Sequence, residues 1–243
     1  MDPASRSPTR EGGGRIATET WAAVLLIAAP LWFNATFALL VMRFDYPDIL
    51  RRPTEEILER FLAGGSSLII LWWAFMLSGL LMIGAVVVLS QALGFGGILP
   101  TATAIGVLAG FVQMLGLLRW VYLVPSLARS HADPRTSPTQ REATLVVFRA
   151  FHQYLGVGVG EHLGYLLTGL WSTLVGIAIV LGDTLAAWLG WPGIVIGAGL
   201  AVGSAEFLGR SEERGWALAR ALIPVLYIAW SVWLLAMGIA LIV

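Results

Sequence analysis

Seven polar side chains stand inside or beside long apolar runs of this chain: Asn34, Gln113, Arg119, His152, Glu161, His162 and Glu206. An ionisable group held within a bilayer costs about 2.5–3.5 kcal/mol at mid-helix on insertion scales, so each one that is kept needs a partner or a purpose. Arg119 is the clearest case. Counted back from Arg129 it lies about 15 Å into a helix, or shallower if that helix ends near Pro125. Glu161 and His162 open a later apolar run from the same side, His152 precedes them, and Glu206 closes the run after that. Asn34 and Gln113 add neutral hydrogen-bonding groups at greater depth. One chemistry open to this set has Arg119 holding an anionic ligand while Glu161 and His162 exchange a proton, since imidazole titrates near neutrality and a carboxyl responds to its surroundings. A second has Arg119 and Glu161 as a buried ion pair that fixes helix register, with His162 as a hydrogen-bonding neighbour. In a third, Arg119 snorkels to the headgroups beside Trp120 and Tyr122 as interface anchors.

The elements that must position these groups follow from composition. The chain has 243 residues, 58% hydrophobic and 12% charged, where a soluble domain averages roughly 45–50% and 25%. Six runs reach the roughly 20 apolar residues that a 30 Å hydrocarbon core demands. They are placed at about 21–41, 67–89, 99–124, 161–181, 185–204 and 218–243. The fold class is therefore all-α, a polytopic membrane protein with a six-helix transmembrane bundle spanning residues 20–243. Pro30 and Asn34 interrupt the first run, and Pro192 falls in the first turn of the fifth, where a missing N–H is harmless. Residues 1–19, with Gly12 to Gly14 and mixed charge, read as a disordered tail. The run after it has full spanning length, so the first helix is expected to be retained rather than cleaved.

There is no lysine, and arginine falls mainly in three connections: Arg43, Arg51, Arg52 and Arg60; Arg129, Arg135, Arg141 and Arg149; Arg210, Arg214 and Arg220. The positive-inside rule puts those connections in the cytoplasm and both termini outside, in a bacterial inner membrane. Two connections hold amphipathic helices expected at the interface, about 54–62 after Pro53 and about 138–155 after a Ser137-to-Gln140 capping box. Each either rests its apolar face on lipid or lids a cavity. Met42-Arg43-Phe44 also resembles Leu118-Arg119-Trp120, and Pro53-Thr54-Glu55 resembles Pro138-Thr139-Gln140, a short internal similarity of the kind left by parallel repeats.

Glycine is placed for packing. Gly156, Gly160 and Gly164, Gly106 and Gly110, and Gly193 and Gly197 recur at four-residue spacing, the small-xxx-small pattern that lets helices approach closely in lipid. The same glycines could break the helix near residue 158. A phosphate loop is excluded, because no strand precedes the glycines. Equal acidic and basic counts of 15 leave no basic surplus for nucleic acid, and the absence of cysteine removes thiolate chemistry. No metal site and no cofactor is expected. Haem between His152 and His162 is the one alternative, and it requires the glycine segment to fold the two histidines face to face.

The stretches Arg43-Phe-Asp-Tyr-Pro-Asp-Ile-Leu-Arg51, Gly-Leu-Leu-Arg119-Trp and His152-Gln-Tyr-Leu-Gly-Val-Gly-Val-Gly-Glu161-His162-Leu-Gly-Tyr165 resemble a bacterial integral membrane family, the domain of unknown function numbered 4386. The resemblance implies a multi-helix membrane protein and carries no activity or site residue. The functional expectation rests on the residues: binding or transport of a small ligand or proton through a cytoplasm-facing polar cluster. Its rival is a structural or regulatory subunit whose glycine faces and surface aromatics dock a membrane partner or a second copy. Contact with the lipid bilayer is common to both.

Overall fold

The computed structural model describes residues 8–209 and 215–243, and every regular element among them is helical. In chain order these are α1 (Pro8–Phe44), α2 (Thr54–Ala92), α3 (Leu99–Tyr122), α4 (Val124–Ala132), α5 (Pro138–Phe151), α6 (Gly164–Leu181), α7 (Gly190–Gly203) and α8 (Ala217–Ala240). A π-helical stretch, His152–Leu163, joins α5 to α6 without a break. Six helical stretches are long and apolar enough to cross a membrane: Ile16–Phe44, Thr54–Ala92, Leu99–Ala132, Pro138–Leu181, Ala187–Phe207 and Ala217–Ala240. The chain is thus an all-α, multi-pass membrane protein. Residues 1–7 of the expected tail, with Arg210 and Arg214, lie outside the described residues.

Several boundaries differ from the periodicity reading. α1 begins at Pro8, within the stretch expected to be tail, and passes through Pro30 as one helix. The expected interfacial helix after Pro53 is the first part of α2, turned at Gly65. Gly65 has φ +57° and ψ −155°, a conformation that side chains with a Cβ rarely adopt, and the helix changes direction there before the spanning part. Pro53 is its N-cap. α3 ends at Tyr122, because the helix breaks at Leu123 before Val124-Pro125 starts α4, so Arg119 lies in the last turn rather than in mid-span. The capping box at Ser137 is present in full, with the Ser137 hydroxyl accepting from Gln140 N–H and the Gln140 side chain accepting from Ser137 N–H.

Two aromatic cores hold the bundle. At the arginine-rich end, Trp120 stacks on Trp72 at 4.6 Å and 8° and is met edge-on by Phe44 at 5.5 Å and Phe148 at 6.1 Å. Both tryptophans are fully buried. At the other end Trp171, Trp230 and Trp233 pack against Val86, Leu89 and Ile179. Trp230 Nε1–H donates to Ser172 Oγ at 2.9 Å, and Trp233 Nε1–H donates to the Leu189 carbonyl at 2.8 Å, so α8 is pinned to α6 and to the turn before α7. The short internal similarity occupies corresponding places. Arg43-Phe44 ends α1 and Arg119-Trp120 ends α3, and the amphipathic helix that follows each passes through a glycine irregularity into spanning length, at Gly65 and at Gly156 to Gly160.

Glycine sets the helix spacing. A Cβ at Gly116 would stand 2.6 Å from the Gly160 Cα, and one at Gly197 would stand 2.5 Å from both the Gly169 carbonyl oxygen and the Thr173 hydroxyl. Gly156, Gly160 and Gly164 face Arg119, Gly116 and Gln113 in turn, an antiparallel register between the π-helical stretch and α3. Gly110 meets Gly79 of α2, Gly106 meets Trp171, and Gly193 seats the Trp233 ring. The glycine faces are therefore filled by the chain's own helices.

Candidate ligand-binding site

The helix does not break at the Gly-Val-Gly-Val-Gly segment. It widens into a π-helix of 12 residues, longer than the single-turn bulges that usually interrupt α-helices and often mark functional sites. Three glycines disfavour the α-helix, and the close approach of Gly116 to Gly160 fixes the widened turn against α3. Glu161 and His162 thus lie inside a continuous helical run rather than at its opening, contrary to the sequence expectation.

Arg119 is 6% exposed. Its Nη1 donates to the Gly116 carbonyl, its guanidinium carbon sits 5.3 Å from the Trp120 ring centre, and its Nε has no partner. A Cβ at Gly156 would come within 2.6 Å of Nη2, so that glycine makes room for the guanidinium. The snorkelling alternative fails on burial, since Trp120 is fully buried and only Tyr122, 74% exposed, is placed to anchor an interface. Arg119 and Glu161 lie within electrostatic reach of one another but are not closed into an ion pair. Ion pairs form instead within the α1–α2 connection and the start of α2, and between Arg135 and Asp133.

The groups around these two charges include ones that the sequence reading did not single out. Tyr46, on the α1–α2 connection, lies within electrostatic reach of both Arg119 and Glu161 and packs edge-on against Trp72 at 5.1 Å. Burial holds its hydroxyl well above the usual phenol range; Glu161 pushes the same way and Arg119 opposes them. Tyr165, four residues past Glu161, meets Tyr227 of α8 at 5.4 Å. Tyr227 faces Thr168, whose hydroxyl accepts from Gln113 Nε2 at 3.0 Å. Glu161, Tyr46, Tyr165, Tyr227 and Gln113 are enclosed by the bundle yet each is only half-buried. They line a crevice rather than fill a core. The other two of the chain's five tyrosines, Tyr122 and Tyr154, are exposed.

Of the remaining candidates, the structure brings some close and sets others aside. His162 is committed elsewhere, its Nδ1–H donating to the Ser204 carbonyl at 2.7 Å, which ties the π-helical stretch to the end of α7. His152 stacks on Phe148 at 5.7 Å, lies near Arg119, and leaves Nδ1 unpartnered. The two imidazoles sit on one continuous helical run, so the fold-back that would set them face to face across a haem is missing. Glu206 is buried beside Gly215, where a Cβ would stand 2.9 Å from Oε1, and feels Arg51 and Arg220 as well as Glu161. Asn34 lies apart from the pair of charges: its Nδ2 donates to Ser231 Oγ at 2.9 Å and to the Pro30 carbonyl at 2.7 Å, joining α1 to α8. No three His, Asp or Glu groups among the described residues come together as metal ligands.

The connection that carries Tyr46 is tied down by charge. Arg52 pairs with Asp45 and with Glu56 at 2.6 Å, and Arg60 reaches Glu56 at 3.2 Å. Each pair is partly exposed and of small individual worth, but all converge on the start of α2. Away from the crevice, a hollow of about 310 Å³ between α4 and α5, lined by residues including Leu127, Ser130 and Thr144, contains no charged side chain.

With the geometry in view, comparison with known proteins gives one family. The domain of unknown function DUF4386 matches residues 20–238. The chain belongs to that family. No curated protein and no solved structure matches it. In this DUF4386 protein Gly116 and Gly156 differ in what a side chain placed there would meet. Gly116→Ala drives a Cβ into the backbone of Gly160, and overpacking of this kind costs about 1–3 kcal/mol. Gly156→Ala meets only the side-chain end of Arg119 and no backbone. Melting in detergent is expected to fall clearly for Gly116→Ala and little for Gly156→Ala.

Proposed function

We propose that this DUF4386 protein binds a small ligand bearing an anionic group in the crevice at Arg119 and moves it across a bacterial cytoplasmic membrane. The observation that carries this reading is Arg119 itself: a guanidinium with five N–H donors, almost wholly buried, with one carbonyl as its hydrogen-bonded partner and no carboxylate in contact. A buried charge left so incompletely satisfied costs stability, and binding sites are where such a cost is kept. Arginine also suits a planar anion better than lysine, because its fork donates two parallel hydrogen bonds. The concentration of arginine in the connections at this end supports a cytoplasmic opening with both termini outside.

The rival reading, a subunit that docks through its glycine faces, draws less support, since those faces pack against this chain's own helices. The test is a melting screen of the purified protein against small organic anions. A midpoint that climbs with ligand concentration in the wild type and stays flat in Arg119→Met supports the proposal. Equal shifts in both proteins, or none in either, count against it.

A further inference from the structure

We infer that the ligand is a zwitterion, with its anionic group on Arg119 and an ammonium group between Glu161 and the rings of Tyr46, Tyr165 and Tyr227; this rests on the reading of Arg119 as an anion site. Arg119 and Glu161 are opposite charges within electrostatic reach where the π-helical stretch packs on α3, Gly156 against Arg119 and Gly160 against Gly116, and no ion pair joins them. Each lacks a touching counter-ion. A simple anion seated on Arg119 would place a second negative charge beside Glu161, and a simple cation on Glu161 would place a second positive charge beside Arg119. Like charges in a low-dielectric enclosure repel strongly. A molecule carrying both charges satisfies both groups and leaves the buried charge balanced.

The groups facing Glu161 decide which end of the ligand goes where. From α3 comes Arg119, from the α1–α2 connection Tyr46 and Arg51, from its own helical run Tyr165, from α8 Tyr227, and from the end of α7 Glu206. His162, next in sequence, is held by the Ser204 carbonyl. Aromatic faces attract an ammonium through their quadrupole, and a carboxylate with three phenol groups within electrostatic reach suits a cation. Glu206 adds negative charge behind it, offset by Arg51 and Arg220. Phe33, Phe37 and Phe75 continue the ring wall from Tyr46 and Tyr227, so the space between the charges suits an apolar body.

The test uses the full chain in phosphatidylglycerol nanodiscs and four probes: phenylalanine, its analogue without the ammonium (3-phenylpropanoate), its analogue without the carboxylate (2-phenylethylamine), and glycine betaine. Calorimetry is expected to show at least one zwitterion bound ten-fold or more tightly than either singly charged analogue, and weakened ten-fold or more by both Arg119→Met and Glu161→Gln. Repeating the titration in phosphatidylethanolamine nanodiscs separates sources: loss of binding there identifies the lipid headgroup as the zwitterion, and retention identifies a soluble molecule. If 3-phenylpropanoate binds as well as phenylalanine and Glu161→Gln leaves it unchanged or tighter, the zwitterion is overturned while the anion site at Arg119 stands. If no zwitterion in the set binds, the inference is overturned too. If Arg119→Met binds every probe as the wild type does, the underlying reading falls with it.

Discussion

Arg119→Lys is expected to weaken ligand binding by roughly 30- to 150-fold, or about 2–3 kcal/mol, even though it keeps the positive charge. The guanidinium is positioned by three features that an ammonium cannot use together. Nη1 is turned to the Gly116 carbonyl, the planar group lies by the Trp120 ring, and Gly156 leaves a flat space without a Cβ for Nη2. Lysine brings one compact, strongly hydrated charge on a flexible stem, and loses both the fork and the packing against the ring. Isothermal titration of the two proteins with the same ligand checks the expectation. Equal affinities would mean that only net charge matters at this position. The melting temperature of Arg119→Lys without ligand should stay near that of the wild type, because no ion pair is broken.

Trp120→Ala is expected to cost about 3–5 kcal/mol of stability, the range for emptying a buried aromatic site. Trp120 is fully buried at the junction of four helices, stacked on Trp72, Phe61 and, edge-on, on Phe44 and Phe148. Its removal uncouples α3 from α1, α2 and α5 together, so neighbours on any one helix cannot close the space. Trp120→Phe is expected to cost less, since it keeps a ring, and the indole Nε1–H it removes makes no hydrogen bond. Unfolding in denaturant with tryptophan-independent detection distinguishes the two. A Trp120→Ala protein as stable as Trp120→Phe would contradict the aromatic core as the anchor of the site.

Much of the architecture was legible in the sequence because lipid imposes a coarse rule. A run of about twenty apolar residues has few alternatives to a spanning helix, so the six spans and the capping box at Ser137 followed from composition and local pattern. What lipid does not dictate was less visible. Gly156, Gly160 and Gly164 signalled close packing, yet nothing local distinguishes a broken helix from a π-helix, and the surface that the widened turn packs on, Gly116 of α3, is far away in the chain. Arg119 and Glu161 stood out because charge is rare in these runs. Tyr46, Tyr165 and Tyr227 did not, since a phenol reads equally as interface anchor, core filler or hydrogen-bonding group, and only tertiary packing separates them from the exposed Tyr122 and Tyr154. The partner of His162 was equally invisible in the sequence: the Ser204 carbonyl that accepts from its Nδ1–H lies on another helix.

On the proposed reading, Arg119 and Glu161 are kept to hold a ligand and not to hold each other. A double-mutant cycle of Arg119→Met, Glu161→Gln and the double variant, read as unfolding free energy in detergent without ligand, tests it most directly. A ligand site gives a coupling below about 1 kcal/mol, with single variants near neutral or stabilised. Single variants that each lose about 3 kcal/mol or more, with little further loss in the double variant, would show a structural ion pair and contradict the account.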